Sequence, residues 1–417
     1  MIFSIGEPSA AAPVAADDVD WTVRAGVWLT KIAIYVGLFI GAGGALARTV
    51  LMPGTRSGGR IAGLALGLGT AGAGIGLAFQ GLDALGATVG SVADPAIWRA
   101  GYETSFGNTV AVATAAFAAG ALGLLVPGWI GAAAAVASVL LAALAPALSG
   151  HASAANPQWL MRPTVFLHAL CIAVWIGALA PLGLALRRDE SASLRGLARF
   201  SRLMPWVLAM LIATGIAIAV VQVEQPSALF ATAYGRVFLG KLVLLAVLLA
   251  LAAHNRWRLT PIVDAGNRTA AHRLMRSIAI ETALAVLIFA TAAMWRFTPP
   301  PRVIAAAAAV PAQTHMMTAK AMADVTVSPG HAGEVSVSAI ILTAEFGPLD
   351  AKEVTFVLSN PSAGIEPFAR RAEKPGDGTW RADGVVLPLP GLWTLRVDIL
   401  VNDFELASVE GEVTIRP

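Results

Sequence analysis

Soft metal ligands recur at one end of a long apolar segment of this chain. Met161, His168 and Trp175 are spaced by seven residues, so on a helix they share one stripe. Cys171 follows His168 by three residues, on nearly the same face. His151 stands one short loop before Met161. Imidazole, thioether and thiolate are donors that suit copper. The same residues have a plainer reading. Met and Cys in apolar helices commonly serve packing, and a lone intramembrane His can simply bond a neighbouring carbonyl. A second soft cluster, His315-Met316-Met317, falls in a stretch that reads as flexible, either as a capture site or as an accident of composition.

Three charges also fall inside apolar runs: Lys31, Lys241 and Glu281. Ionisable groups within a membrane are functional hypotheses by default. A Lys–Glu pair would satisfy both charges, while a lysine near a helix end can instead snorkel to the headgroups. Glu281 is too deep to snorkel. It is expected to face the bundle, as a structural ion pair or as part of a cation path.

These residues need a frame, and composition supplies it. Of 417 residues, 57% are hydrophobic and only 13% charged, against about 25% charged in soluble domains. Apolar runs of about 20 residues, enough to cross a bilayer, occur at about 25–49, 61–82, 105–126, 128–149, 163–186, 203–224, 235–254 and 273–296. Only Pro127-Gly128 divides the third from the fourth, which predicts a tight turn. Residues 1–23 form an N-terminal segment, 24–297 the membrane domain, 298–320 a linker and 321–417 a domain of ordinary soluble composition. The first 20 residues lack a basic n-region and an apolar run, so helix one is expected to act as an uncleaved signal.

Short alternating strands fill the last domain, as at Val335–Leu342 and Trp393–Val401, broken by Asn360-Pro361, Pro375-Gly376-Asp377-Gly378 and Pro390-Gly391. Roughly seven strands predict a β-sandwich with Trp380 and Trp393 in its core. The expected fold class is thus an all-α polytopic membrane helix bundle of eight transmembrane helices plus a C-terminal all-β sandwich domain.

Loop charges set an orientation. One set holds Arg48, Arg56 and Arg60, then Arg187, Arg188, Arg195, Arg199 and Arg202, then Arg256, Arg258, Arg268 and Arg273. The opposite set mixes Arg99, Arg162 and Arg236 with Asp83, Asp94, Glu103 and Glu224. The basic set is expected to be cytoplasmic, which puts both termini outside. A faint repeat also appears. Thr104-Ser105-Phe106-Gly107 opens the third helix and Thr232-Ala233-Tyr234-Gly235 the seventh, both reading Thr-x-aromatic-Gly.

Several function classes drop out. A net charge of +3 does not argue for nucleic acid, and a single cysteine excludes an internal disulfide framework. The sequence has no Walker motif, no Gly-x-Ser-x-Gly and no His-Glu-x-x-His, so neither an ATP-driven pump nor an enzyme is expected.

One ordered set of residues resembles the CopD family of bacterial copper-resistance and copper-transport membrane proteins. It comprises Ser149-Gly150-His151-Ala152; Leu167-His168 with Trp175-Ile176-Gly177-Ala178-Leu179; Phe200-Ser201-Arg202; Thr214-Gly215; Thr232-Ala233-Tyr234-Gly235-Arg236 leading to Lys241; and Asn255-Arg256 with Pro261. The likeness covers about 150–300, and the first four helices match loosely. Met1-Ile2-Phe3-Ser4-Ile5-Gly6 looks similar to the last strand of a CopC-like domain, and the C-terminal domain resembles that of YcnJ-type fusions. The resemblance implies copper as cargo or bound ion, in the bacterial inner membrane among lipid. It further implies import from periplasm to cytoplasm without ATP, and a separate CopC-like periplasmic protein as partner. His151 and His168, with Met161, would capture the metal as Cu(I). Two other readings stand: a membrane anchor or assembly factor presenting the β-domain to a copper chaperone or oxidase, and a b-type haem electron carrier. The histidine count disfavours the carrier.

Overall fold

The computed structural model describes residues 20–55, 57–150, 152–188, 193–304, 310–344 and 346–416. It falls into two units, Met1–Pro301 and Arg302–Pro417. The N-terminal remnant expected before residue 20 lies outside the described residues, as do His151 and Arg56.

Among the described residues eight helices are long and apolar enough to cross a membrane: α1 Trp21–Leu51, α2 Gly59–Leu85, α3 Ser105–Leu125, α4 Gly128–Ala147, α5 Gln158–Arg187, α6 Leu194–Val223, α7 Ala233–Val263 and α8 Thr269–Ile304. Each coincides with one of the eight apolar runs. Their starts follow local chemistry. The Asp20 carboxylate accepts from the Thr22 and Val23 amides before α1, and the Asn267 side chain accepts from the Ala270 amide before α8. Such caps satisfy helix-end N–H groups that have no partner inside the helix. Between α3 and α4, Gly128 takes φ +79°. That left-handed conformation is cheap only for glycine, and it makes the expected tight turn.

The Thr-x-aromatic-Gly repeat is structural. Thr104 Oγ1 accepts from the Phe106 amide and Thr232 Oγ1 from the Gly235 amide. A short helix precedes each motif, Pro95–Glu103 and Ala228–Ala231. The motif glycines sit against carbonyls there: a Cβ on Gly107 would lie 2.0 Å from the Tyr102 oxygen, and one on Gly235 2.3 Å from the Leu229 oxygen.

The bundle is packed unevenly. The apolar stretch of α5 is largely buried, whereas those of α6 and α7 are mostly exposed. Backbone contact makes α5 central. A Cβ on Gly43 of α1 would meet the Ala173 oxygen at 2.0 Å, and one on Gly177 of α5 would meet Gly43 Cα at 2.4 Å. In lipid no hydrophobic effect drives helices together, so small residues that allow close approach carry the packing. Around this crossing α1 is π-helical over Val36–Ala42 and Ala47–Leu51.

The second unit holds eight strands: β1 Ala312–Met317, β2 Ala321–Ser328, β3 Gly333–Thr343, β4 Glu353–Asn360, β5 Ile365–Arg371, β6 Trp380–Leu387, β7 Gly391–Asn402 and β8 Glu405–Ile415. They form two antiparallel sheets, ordered β1-β2-β3-β6 and β5-β4-β7-β8. Inward side chains of both sheets make one core that includes Trp380 and Trp393. The Trp393 indole donates to the Leu389 carbonyl at 3.0 Å. The stretch with His315, read as flexible, is instead the edge strand β1, paired along its length with β2.

Gly177→Leu is therefore expected to destabilise the purified protein by about 3 kcal/mol or more, because the added side chain would enter the α1 backbone. A Cβ on Gly67 of α2 would have nothing within 4 Å, so Gly67→Leu should stay within about 0.5 kcal/mol of wild type. Thermal unfolding in detergent measures both.

Candidate functional site

His168 lies ten residues into α5, about 15 Å along its axis. This is deeper than expected, because α5 begins at Gln158 rather than near 163. Its ring faces α6, with Nδ1 3.0 Å from Thr214 Oγ1. The Thr214 hydroxyl lies 2.8 Å from the Met210 carbonyl and 3.0 Å from the Leu211 carbonyl and gives its hydrogen to them. With that hydrogen on either carbonyl the oxygen accepts from the ring, the arrangement in which Nδ1 carries the proton. In that tautomer Nε2 keeps its lone pair, as a metal ligand needs. A Cβ on Gly215 would come within 3.4 Å of His168 Cε1, so Thr214-Gly215 both anchors the ring and makes room for it.

The other α5 candidates line up along the helix. Cys171, a buried free thiol, follows one turn later. Met161 is wholly buried seven residues before His168, about 10 Å away along the axis. Met161 and His168 are thus too far apart along the helix for a single ion to sit between their Cα positions as a compact site. Among the described residues no group of three or more His, Cys, Asp or Glu converges.

Lys241 lies in α7. Its ammonium lies 4.7 Å from the centre of the Trp295 ring, a cation–π contact. Tyr234 and Phe238 stack on the same indole at 5.2 and 6.2 Å. Positions 234, 238 and 241 share one face of α7. Lys31 is half-buried in α1.

Glu281 does not pair with a lysine. It is 3% exposed and accepts from Asn255 Nδ2 at 2.7 Å. The reason is axial: Trp295, which holds Lys241, stands about 21 Å of helix rise beyond Glu281. Asn255 opens a π-helical turn, Asn255–Leu259, in α7, and Thr260 Oγ1 donates to its carbonyl at 2.9 Å. Arg256 donates to both the hydroxyl, at 2.7 Å, and the carbonyl of Ser201 in α6. These groups line a cavity of about 210 Å³ among α5, α6, α7 and α8, otherwise walled by apolar side chains such as Trp175, Leu182 and Met204. Asn255 Oδ1 is buried there without a hydrogen-bond partner.

The cavity was not foreseen as a unit. Its signal lay in the order Ser201, Asn255, Arg256 and Glu281, which becomes meaningful only when α6, α7 and α8 are placed side by side.

In the sandwich, strand alternation divides the expected soft triplet. Met316 points inward, 2% exposed, while His315 and Met317 point outward. His315 Nδ1 lies 2.5 Å from Asp324 Oδ1.

No curated protein and no solved structure matches the chain. Residues 194–295, which supply Thr214, Lys241, Ser201, Asn255, Arg256 and Glu281, match the family model CopD, described as Copper resistance protein D.

Proposed function

We propose that the bundle moves copper through the bacterial inner membrane, from periplasm to cytoplasm, without ATP hydrolysis. The observation that carries this reading is the His168–Thr214 contact: a half-buried imidazole whose Nδ1 is engaged, leaving Nε2 for a ligand, anchored by a helix inside the stretch that matches Copper resistance protein D. That match implies copper resistance or transport at a general level. The arginine-rich loops support cytoplasmic placement of the α1–α2, α5–α6 and α7–α8 connections, with both termini periplasmic.

In this reading copper is cargo. His151 receives it at the periplasmic end, alone or from a CopC-like protein, and His168 binds it through Nε2. Thioether and thiol donors favour Cu(I), so Met161 and Cys171 serve as successive partners above and below His168. Lys241 and Lys31 contribute positive charge in the outer half. Glu281 and Asn255 offer oxygen donors in the inner cavity, where a cation leaving His168 regains polar contacts.

The Thr214 hydroxyl positions the ring and does not touch the metal. Removing such an outer partner typically costs 10–100-fold in affinity. In proteoliposomes loaded with a copper indicator, His168→Ala should abolish uptake. Thr214→Val should lower Cu(I) affinity about tenfold while leaving the protein folded. Wild-type uptake by both variants would remove His168 from the path.

Glu281 yields a separate outcome. Glu281→Gln keeps an oxygen for the Asn255 amide and should melt close to wild type. Glu281→Leu leaves the buried Asn255 side chain without a partner and should cost about 1–3 kcal/mol. Unfolding in detergent reads the difference, and reduced copper flux in the folded Glu281→Gln variant would place the carboxylate on the route.

A further inference from the structure

We infer that the outer face of the β1–β2 hairpin is a Cu(I) site made by His315, Met317 and Met322, with Asp324 orienting the imidazole. The choice of copper rests on the function proposed above; the ligand set rests on the hairpin itself. In the antiparallel register His315 stands opposite Asp324 and Met317 opposite Met322. Residues directly opposite one another lie on the same face of a sheet, and diagonal neighbours remain within reach of long side chains. Residues two apart on a strand also share a face. One imidazole, two thioethers and one carboxylate therefore stand at neighbouring positions on one side of the hairpin.

Each group has the form the site requires. Asp324 Oδ1 lies 2.5 Å from His315 Nδ1, so the carboxylate holds the proton on Nδ1 and turns Nε2 outward. A histidine ligand whose second nitrogen bonds a carboxylate is the usual arrangement at metal centres. Met317 is 64% exposed and free to swing. Met322 is fully buried, although its neighbours Ala321 and Ala323 are the β2 residues that join the core between the sheets. It is thus a shielded thioether on the outward side of β2. The pair Met317–Met322 closes the hairpin, where the Thr318 amide donates to the Ala321 carbonyl at 2.9 Å. Alongside, His315 and Asp324 form part of the wall of an open hollow of about 420 Å³, which gives a solute access. The nearest lysine of the turn, Lys320, is paired with Glu405. Two thioethers and an imidazole make a soft donor set that selects Cu(I) over hard cations.

Met316, the middle residue of the triplet His315-Met316-Met317, takes no part. It is turned into the core, where a Cβ on Gly411 would meet its Cγ at 2.7 Å.

The test uses the purified full-length protein in detergent, carrying His151→Ala, Met161→Leu, His168→Ala and Cys171→Ser so that the donors proposed in the bundle do not contribute. Cu(I) is titrated anaerobically against a chromophoric chelator, and X-ray absorption counts sulfur neighbours. The parent should hold one tightly bound Cu(I) with two sulfurs. Met317→Leu and Met322→Leu should each weaken it about tenfold or more and remove one sulfur. Met316→Leu should leave affinity and sulfur count unchanged. Asp324→Asn should weaken binding without changing the sulfur count. Differential scanning calorimetry of each variant confirms that the sandwich is kept. The site is overturned if Met316→Leu weakens binding as Met317→Leu does, if Met322→Leu has no effect, or if no Cu(I) remains in the parent. The outcome is independent of flux. Wild-type protein that transports nothing but binds Cu(I) with this pattern keeps the site and loses the transport reading. Full transport with no Met322 dependence of binding does the reverse.

Discussion

Hydrocarbon offers no hydrogen-bond partner, so a polar side chain inside this bundle must find one within the protein. The constraint can be followed residue by residue. Ser138 of α4 donates to the Ala116 carbonyl of α3 at 2.7 Å. Thr109 bonds Ser149 at 2.7 Å, and the Trp28 indole of α1 donates to the Ala290 carbonyl of α8 at 2.8 Å. These contacts tie helices together and use up the donors that make them. His168 and Asn255 differ. Each makes one good bond and keeps one group in reserve: the ring Nε2 of His168, and the Oδ1 of Asn255, which is buried without a partner. An unsatisfied buried acceptor costs about 1–3 kcal/mol. Its retention beside a carboxylate, in a cavity, marks a place where something polar belongs.

The uneven packing has a matching logic. The contact of α1 with α5 at Gly43 and Gly177 is backbone on backbone and allows little movement. By contrast α6 and α7 have few fully buried residues in their apolar stretches, and the bond from Arg256 to Ser201 joins them at the cavity. The closely packed α1–α5 pair carries His168, and the less buried helices carry Thr214, Lys241 and Asn255. The matched region, 194–295, is the less buried part. A side chain there can reorient without breaking the backbone contacts that hold the bundle together.

The spans were legible because a run of about 20 apolar residues has few alternatives in lipid, and Pro127-Gly128 could only be a turn. The partners of buried charges were not legible. Lys241 and Glu281 looked complementary by sign. Axial position decides which groups meet, and it gave Lys241 the Trp295 ring and Glu281 the Asn255 amide. In the sandwich, β3 and β7, both inside their sheets, announced themselves by alternation. Strands β1 and β5 lie at sheet edges. Ile365–Arg371 contains Pro367, which a central strand would not tolerate, and Ala312–Met317 lacks β-branched residues apart from Thr314. Edge strands bury one side of their ladder only, so their sequences are less constrained. The stretch His315-Met316-Met317, read as flexible, is part of such an edge strand. A triplet contiguous in sequence is split across two faces once its backbone is extended.

Spacing along α5 also bears on how a cation would travel. Met161, His168 and Cys171 are separated by two turns and then one. At 1.5 Å per residue the first gap is about 10 Å and the second about 4.5 Å. Conduction requires binding strong enough to admit the ion and weak enough to release it, over several adjacent sites. On the proposed route, His168 and Cys171, one turn apart, would be adjacent sites, whereas the step from Met161 to His168 is too long for the two to share one ion. Thr214 then has a defined part in the exchange. On that proposed route, a proton held on Nδ1 by Thr214 would leave Nε2 as the nitrogen offered to the ion and would make His168 a one-sided ligand next to Cys171. A ring free to flip would offer either nitrogen in turn. The hydroxyl on α6 thereby couples the position of that less buried helix to the ligand on α5.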